Sequence, residues 1–229
     1  MWRLTWLLLQ KDLRIAARSR EVLAFMLFFA LLCVVIFAFG FLREGEAAAL
    51  QVPGVLWVTL LFSGTVGLLR LFAPEDEAGS LPLVQRTAHG SAPLFWSKVL
   101  LQLLFSGSVT LCLLPLVVLF FSTALPHLPL LLLCLSLGLL GQAVLGTLCS
   151  ALLLQVRLRE VLLPLVLYPL LAPLLIAGVK VTALTQLADD NTAAIQSWLL
   201  LMFAFDALVV LLSPWLHARV VEPAPLKIA

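Results

Sequence analysis

The sequence predicts an all-α integral membrane protein with six transmembrane helices and an N-terminal amphipathic interfacial helix, and three observations predict it. First, 63% of the 229 residues are hydrophobic and only 11% charged, with a mean hydropathy of +1.15. A soluble domain is roughly half apolar and about a quarter charged, so this chain lacks the polar shell that a water-exposed core needs. Second, six stretches reach the roughly 20 apolar residues that a helix needs to cross hydrocarbon. They are continuous rather than alternating, which argues against a barrel. Third, twelve of the 14 basic residues fall in segments on one side of those spans, leaving only Arg43 and Lys180 on the other. That asymmetry places both termini in the cytoplasm. The formal net charge of +2 is too small to suggest a polyanion ligand. A soluble enzyme, a nucleic-acid binder and a disulfide-built secreted domain are thereby excluded.

The elements follow in order. Met1–Glu21 is patterned: at about 100° per residue, Arg3, Gln10, Lys11, Arg14, Arg18 and Glu21 share one arc, and Trp2, Trp6, Leu8, Leu9, Leu13 and Ile15 fill the rest. Asp12 and Leu7 are the exceptions. A basic stripe beside two tryptophans suits a helix lying in the membrane interface, either as an anchor for the first span or as an elbow helix that also touches a cytoplasmic partner. The spans are expected at about Val22–Leu42, Gln51–Phe72, Val99–Phe121, Leu128–Leu154, Val161–Ala183 and Ser197–Leu216, within a single permease domain, 1–229. Val22–Leu42 is too long for the apolar core of a signal peptide. Ser63 with Gly67, and Gly146 with Ser150, give the small-xxx-small spacing that lets helices approach closely.

Between the second and third spans, 73–98 forms the longest cytoplasmic segment. It opens on Glu75, Asp76 and Glu77 and continues through Leu81, Leu83, Val84 and Arg86. Acidic residues favour a helix N-terminus, and the apolar triplet could dock into a groove on another protein; a solvated connector is the plainer alternative. Within the spans, Gln102 and Gln142 are expected to donate interhelical hydrogen bonds. Asp206 lies near mid-span, where an ionised carboxylate is costly. It is read either as a relay or gating group, or as a neutral carboxyl bonded to Gln102, Gln142 or a backbone carbonyl. Pro164, Pro169 and Pro173 bend the fifth span, each removing a backbone hydrogen bond.

Chemistry is sparse. Cys33, Cys112, Cys134 and Cys149 fall in apolar runs without a CxxC pair, and His89, His127 and His217 are far apart, so no metal site is expected. No GxxxxGK[ST], GxSxG or HExxH occurs, and no catalytic residue is assigned.

The amphipathic start, six spans and cytoplasmic element after the second resemble an ABC-2-type permease, the membrane half of an ATP-driven exporter. Particular stretches are similar to the haem exporter protein B family (CcmB) of cytochrome c maturation: Lys11–Leu23, the Phe-rich end of the first span at Val34–Phe39, the Glu75–Lys98 loop, Leu162–Pro173 and Ser213–Arg219. Pro82 and Thr87–Gly90 depart from the family pattern. The resemblance covers nearly the whole chain. It implies a permease of the bacterial inner membrane that binds no cofactor itself, with ATP hydrolysed on a separate cytoplasmic subunit contacting Glu75–Arg86. It also implies haem-handling membrane partners, a periplasmic haem chaperone and a second permease copy. The complex would export haem or release the loaded chaperone. The alternatives are an ABC-2 exporter of a lipid, glycan or drug, and a non-transporting scaffold of an assembly complex.

Overall fold

The computed structural model describes residues 2–41, 47–77, 92–123, 127–154, 156, 158–186 and 192–221. These fold as eight α-helices: α1 (Trp2–Ser19), α2 (Glu21–Phe41), α3 (Ala47–Arg70), α4 (Ala73–Glu77), α5 (Ala92–Phe121), α6 (Leu128–Leu152), α7 (Arg159–Leu184) and α8 (Thr192–Val221). All but α1 and α4 are long and apolar enough to cross a membrane. Among the described residues the fold class is therefore the one the sequence predicts.

The helices overrun the expected spans because hydropathy marks the hydrocarbon crossing, whereas backbone hydrogen bonding continues into the interface. α3 begins at Ala47 rather than Gln51, and α8 runs from Thr192 to Val221 rather than from Ser197 to Leu216. The largest difference is in α5. It begins at Ala92 rather than Val99, so the final residues of the expected 73–98 loop belong to a membrane helix. Pro93 sits at its start, where a missing N–H breaks no helical bond. Lys98 does not stop the helix, because its charge is paired. Through Pro164, Pro169 and Pro173, α7 remains one continuous helix.

α3 is the most enclosed span, packing against α2, α5, α6 and α7; α2 and α8 are the least enclosed. In lipid the surrounding chains are as apolar as leucine, so close packing and hydrogen bonds must select the arrangement. Both converge on α3. Gln102 Nε2 of α5 donates to Gly64 O at 2.9 Å, Gln142 Nε2 of α6 to Leu61 O at 3.1 Å, and Ser150 Oγ of α6 to Leu68 O at 2.9 Å. Gly67 accommodates Met26 and Gln102, and Gly146 accommodates Leu68. Towards the other end of α3, the Trp57 ring lies over Gly138 of α6 and Gly178 of α7, and its Nε1 donates to Thr182 Oγ1 at 2.9 Å.

α1 joins α2 through Arg20 alone, whose φ of 54° is left-handed and turns the chain sharply. α1 then packs along α5, burying Thr5, Leu9 and Asp12 and leaving Trp2, Trp6 and Leu7 exposed.

Candidate functional site

The described residues carry one concentrated polar site, where α1, α4 and α5 meet. Lys98 comes from the second turn of α5 and is fully buried. Its Nζ lies 2.9 Å from Asp12 Oδ2 on α1 and 2.6 Å from Glu75 Oε2 on α4. Lys11 closes the figure from the rim, 3.2 Å from Asp12 Oδ1 and donating a hydrogen bond to Glu75 Oε1. Phe72, in the turn between α3 and α4, places its ring centroid 5.7 Å from Lys98 Nζ. The side chains of Lys98, Asp12 and Glu75 are each at most 2% exposed, and that of Lys11 is 43% exposed.

Two cations and two carboxylates sum to zero, and that balance makes burial tolerable. An unpaired ion at this depth would cost several kcal/mol, which its partners offset only in good geometry. Partial burial alone would lower the Lys11 pKa. The hydrogen bond to Glu75 and the Asp12 charge outweigh it, holding the ammonium above the usual lysine value. With every charge answered by another, the cluster is a fastener between three helices. Among the described residues no group of His, Cys, Asp and Glu side chains could hold a metal ion.

The sequence-derived candidates scatter around it. Lys11 and Glu75 belong to the cluster, whereas Arg3, Arg14 and Arg18 lie exposed on α1. Asp76 and Glu77 end α4, with side chains outside the described residues, as are Leu81, Leu83, Val84 and Arg86 altogether. Asp206 is 3% exposed on α8, close against Gly141 of α6, which Leu174 of α7 also crowds. The expected bond with Gln102 or Gln142 does not form; the amide nitrogens of both donate to α3 carbonyls instead. Neither Asp206 oxygen has a hydrogen-bond partner among the described residues. Pro164, Pro169 and Pro173 lie within α7, which packs against α3, α6 and α8.

Asp12 and Lys98 are absent from the sequence-derived site. Their signals are faint but physical. Asp12 is the charge that falls off the polar arc of α1, and Ser91-Ala92-Pro93 reads as a helix start, which carries Lys98 inside.

A bundle of six spans, with an interfacial helix pinned to it by buried charge, defines a polytopic membrane protein with an elbow helix. The chain matches the CcmB protein family model over residues 3–223, and it belongs to that family. Heme exporter protein B of Pseudomonas aeruginosa is 32% identical over 172 residues, covering 75% of this chain and 77% of the relative. Heme exporter protein B of Rhodobacter capsulatus is 29% identical over 215 residues, 94% of this chain and 97% of the relative. The protein of that name from Paracoccus denitrificans is 39% identical over 77 residues, about a third of each chain.

Proposed function

We propose that this chain is the membrane permease of an ATP-driven haem exporter serving cytochrome c maturation in the bacterial inner membrane. Membership of the CcmB family and relatives named heme exporter protein B support a membrane component of haem export. The distribution of basic residues supports cytoplasmic termini. ATP is hydrolysed on a separate cytoplasmic subunit, and this chain converts the motion of that subunit into rearrangement of the bundle. Haem-handling membrane subunits, a second permease copy and a periplasmic chaperone complete the assembly, which exports haem or releases the loaded chaperone.

The observation that carries the coupling is the Lys98–Asp12–Glu75 fastener. Glu75 begins the acidic segment that continues to Arg86 and receives the ATPase. A push on that segment reaches α4, and the buried ion pairs hand it to α1 and α5 together, as one body. Arg3, Arg14 and Arg18 on the open face of α1 offer the ATPase a second contact.

The test is co-purification of the tagged chain from native membranes, with partner identity, haem absorbance, ATP hydrolysis and holocytochrome c yield read together. A nucleotide-hydrolysing subunit should accompany the chain. Leu81→Asp with Leu83→Asp should leave the complex assembled yet lower ATP turnover and holocytochrome yield. An intact complex with normal turnover and normal yield would refute coupling through this segment.

A further inference from the structure

Beside the charge cluster the structure holds a cleft of about 260 Å³, in the angle that α1 makes with α2 and closed behind by α3 and α5. Its walls are apolar, with Ile15 of α1, Val22 and Phe25 of α2, and Leu101 and Phe105 of α5. Four charged side chains also line it: Asp12, Glu21, Arg70 and Lys98. Asp12 and Lys98 neutralise each other at 2.9 Å. That leaves one cation, Arg70 at the end of α3, and one anion, Glu21 at the start of α2. Both are exposed, and neither has an ion pair or hydrogen bond among the described residues.

The arrangement is amphiphilic: an apolar slot at the level of the interfacial helix, with one positive and one negative group beside it that are unpaired among the described residues. We infer that the cleft binds a phospholipid with an amine-bearing headgroup, phosphatidylethanolamine, from the leaflet in which α1 lies. The guanidinium of Arg70 suits a phosphate, to which it can donate two parallel hydrogen bonds. Glu21 suits the headgroup ammonium and repels a headgroup of net negative charge. One acyl chain lies along Val22, Phe25 and Phe105. Charge complementarity selects this occupant. A neutral diacylglycerol leaves both side chains unanswered, and an anionic lipid answers Arg70 alone while facing Glu21. The bound lipid wedges the angle between α1 and α2, next to the fastener, so the membrane itself sets the rest position of the elbow helix.

The experiment is native mass spectrometry of the full chain in its complex, delipidated in detergent and titrated with dioleoyl phosphatidylethanolamine, dioleoyl phosphatidylglycerol or dioleoylglycerol. The expected result is one tightly held phosphatidylethanolamine per chain, bound roughly ten-fold better than either other lipid, the factor that a single charge-assisted hydrogen bond supplies. Arg70→Gln should weaken it about ten-fold. Glu21→Gln should erase the preference for phosphatidylethanolamine over phosphatidylglycerol. Ile15→Trp, which fills the slot and spares both charges, should remove binding of all three. Equal binding of the three lipids by the parent chain, or unchanged phosphatidylethanolamine binding in Arg70→Gln, would overturn the assignment. Both charged sites are exposed, so those variants fold.

Discussion

Lys98 is the residue through which the fastener can be tested most directly. Lys98→Met keeps the length and apolar bulk of the side chain and removes only its charge. Asp12 and Glu75, each almost wholly enclosed, would then share a single cation, the half-exposed Lys11. Removing one partner of a buried ion pair costs about 3–5 kcal/mol, mostly because the remaining charge stays buried without compensation. Loss of the interaction with the Phe72 ring adds roughly 0.5 kcal/mol or more. For a chain of this size, where about 1 kcal/mol moves the midpoint by some 2–4 °C, the melting temperature should fall by roughly 10 °C. The assay is thermal unfolding in detergent, followed by tryptophan fluorescence and by the monodisperse fraction on size exclusion. Lys98→Met with Glu75→Gln provides the control, since one carboxylate and Lys11 again balance. If the pair is a charge-balanced fastener, the double variant recovers most of the lost stability, a coupling of at least about 2 kcal/mol. A single variant within about 1 kcal/mol of the parent, or a double variant worse than the single, would refute the reasoning.

Asp12→Asn should loosen α1 together with α4 and the start of α5, with amide exchange of 2–19 accelerating by about ten-fold while the amides of α6 and α7 hold their protection. Lys11 contributes with a definite sign in pH. Its folded pKa is raised, so its contribution is complete below the ordinary value of 10.5 and is lost as pH rises through the folded value. Melting temperature should therefore fall more steeply above about pH 10 in the parent than in Lys11→Met. Arg20→Gly should raise the melting temperature slightly, since a non-glycine residue in the left-handed region costs roughly 1 kcal/mol, while Arg20→Val should lower it. Asp206→Leu should be at least as stable as the parent and give normal holocytochrome yield, because an unsatisfied buried polar group costs about 1–3 kcal/mol. Loss of yield with assembly intact would restore Asp206 as a relay. Gly138→Ala, which drives a methyl into the Trp57 ring, should cost about 1–3 kcal/mol in a melting experiment.

What the sequence makes legible is what depends on one residue at a time. Hydrocarbon length fixes the six spans without knowledge of any contact. The amphipathic start is legible for the same reason, since 100° per residue is a property of one helix. The centre of the candidate site is not legible, because it is a relation among three helices that are distant in sequence. Lys98 counts in hydropathy as a reason to end a span, and only Asp12 and Glu75 make it a reason to continue one. Asp206 shows the converse. A mid-span carboxyl invites pairing with the available amides, yet Gln102 and Gln142 reach α3 carbonyls, which their positions on α5 and α6 bring closer.

The scarcity of charge gives the fastener its importance. In water, the apolar side of α1 would by itself hold the helix against the bundle. At a membrane interface, the lipid accepts Trp2, Trp6 and Leu7 as readily as protein does, so apolar burial cannot distinguish a docked α1 from one adrift on the surface. What distinguishes them is a group that lipid cannot satisfy. Asp12 can remain out of water only beside a cation, Lys98 or Lys11, and Lys98 can enter the bundle only beside Asp12 and Glu75. Each ion makes the burial of the others tolerable, so the three helices dock together or not at all. A joint built this way is stiff without being large. The proposed coupling calls for that property, since α4 would then move α1 and α5 as one body.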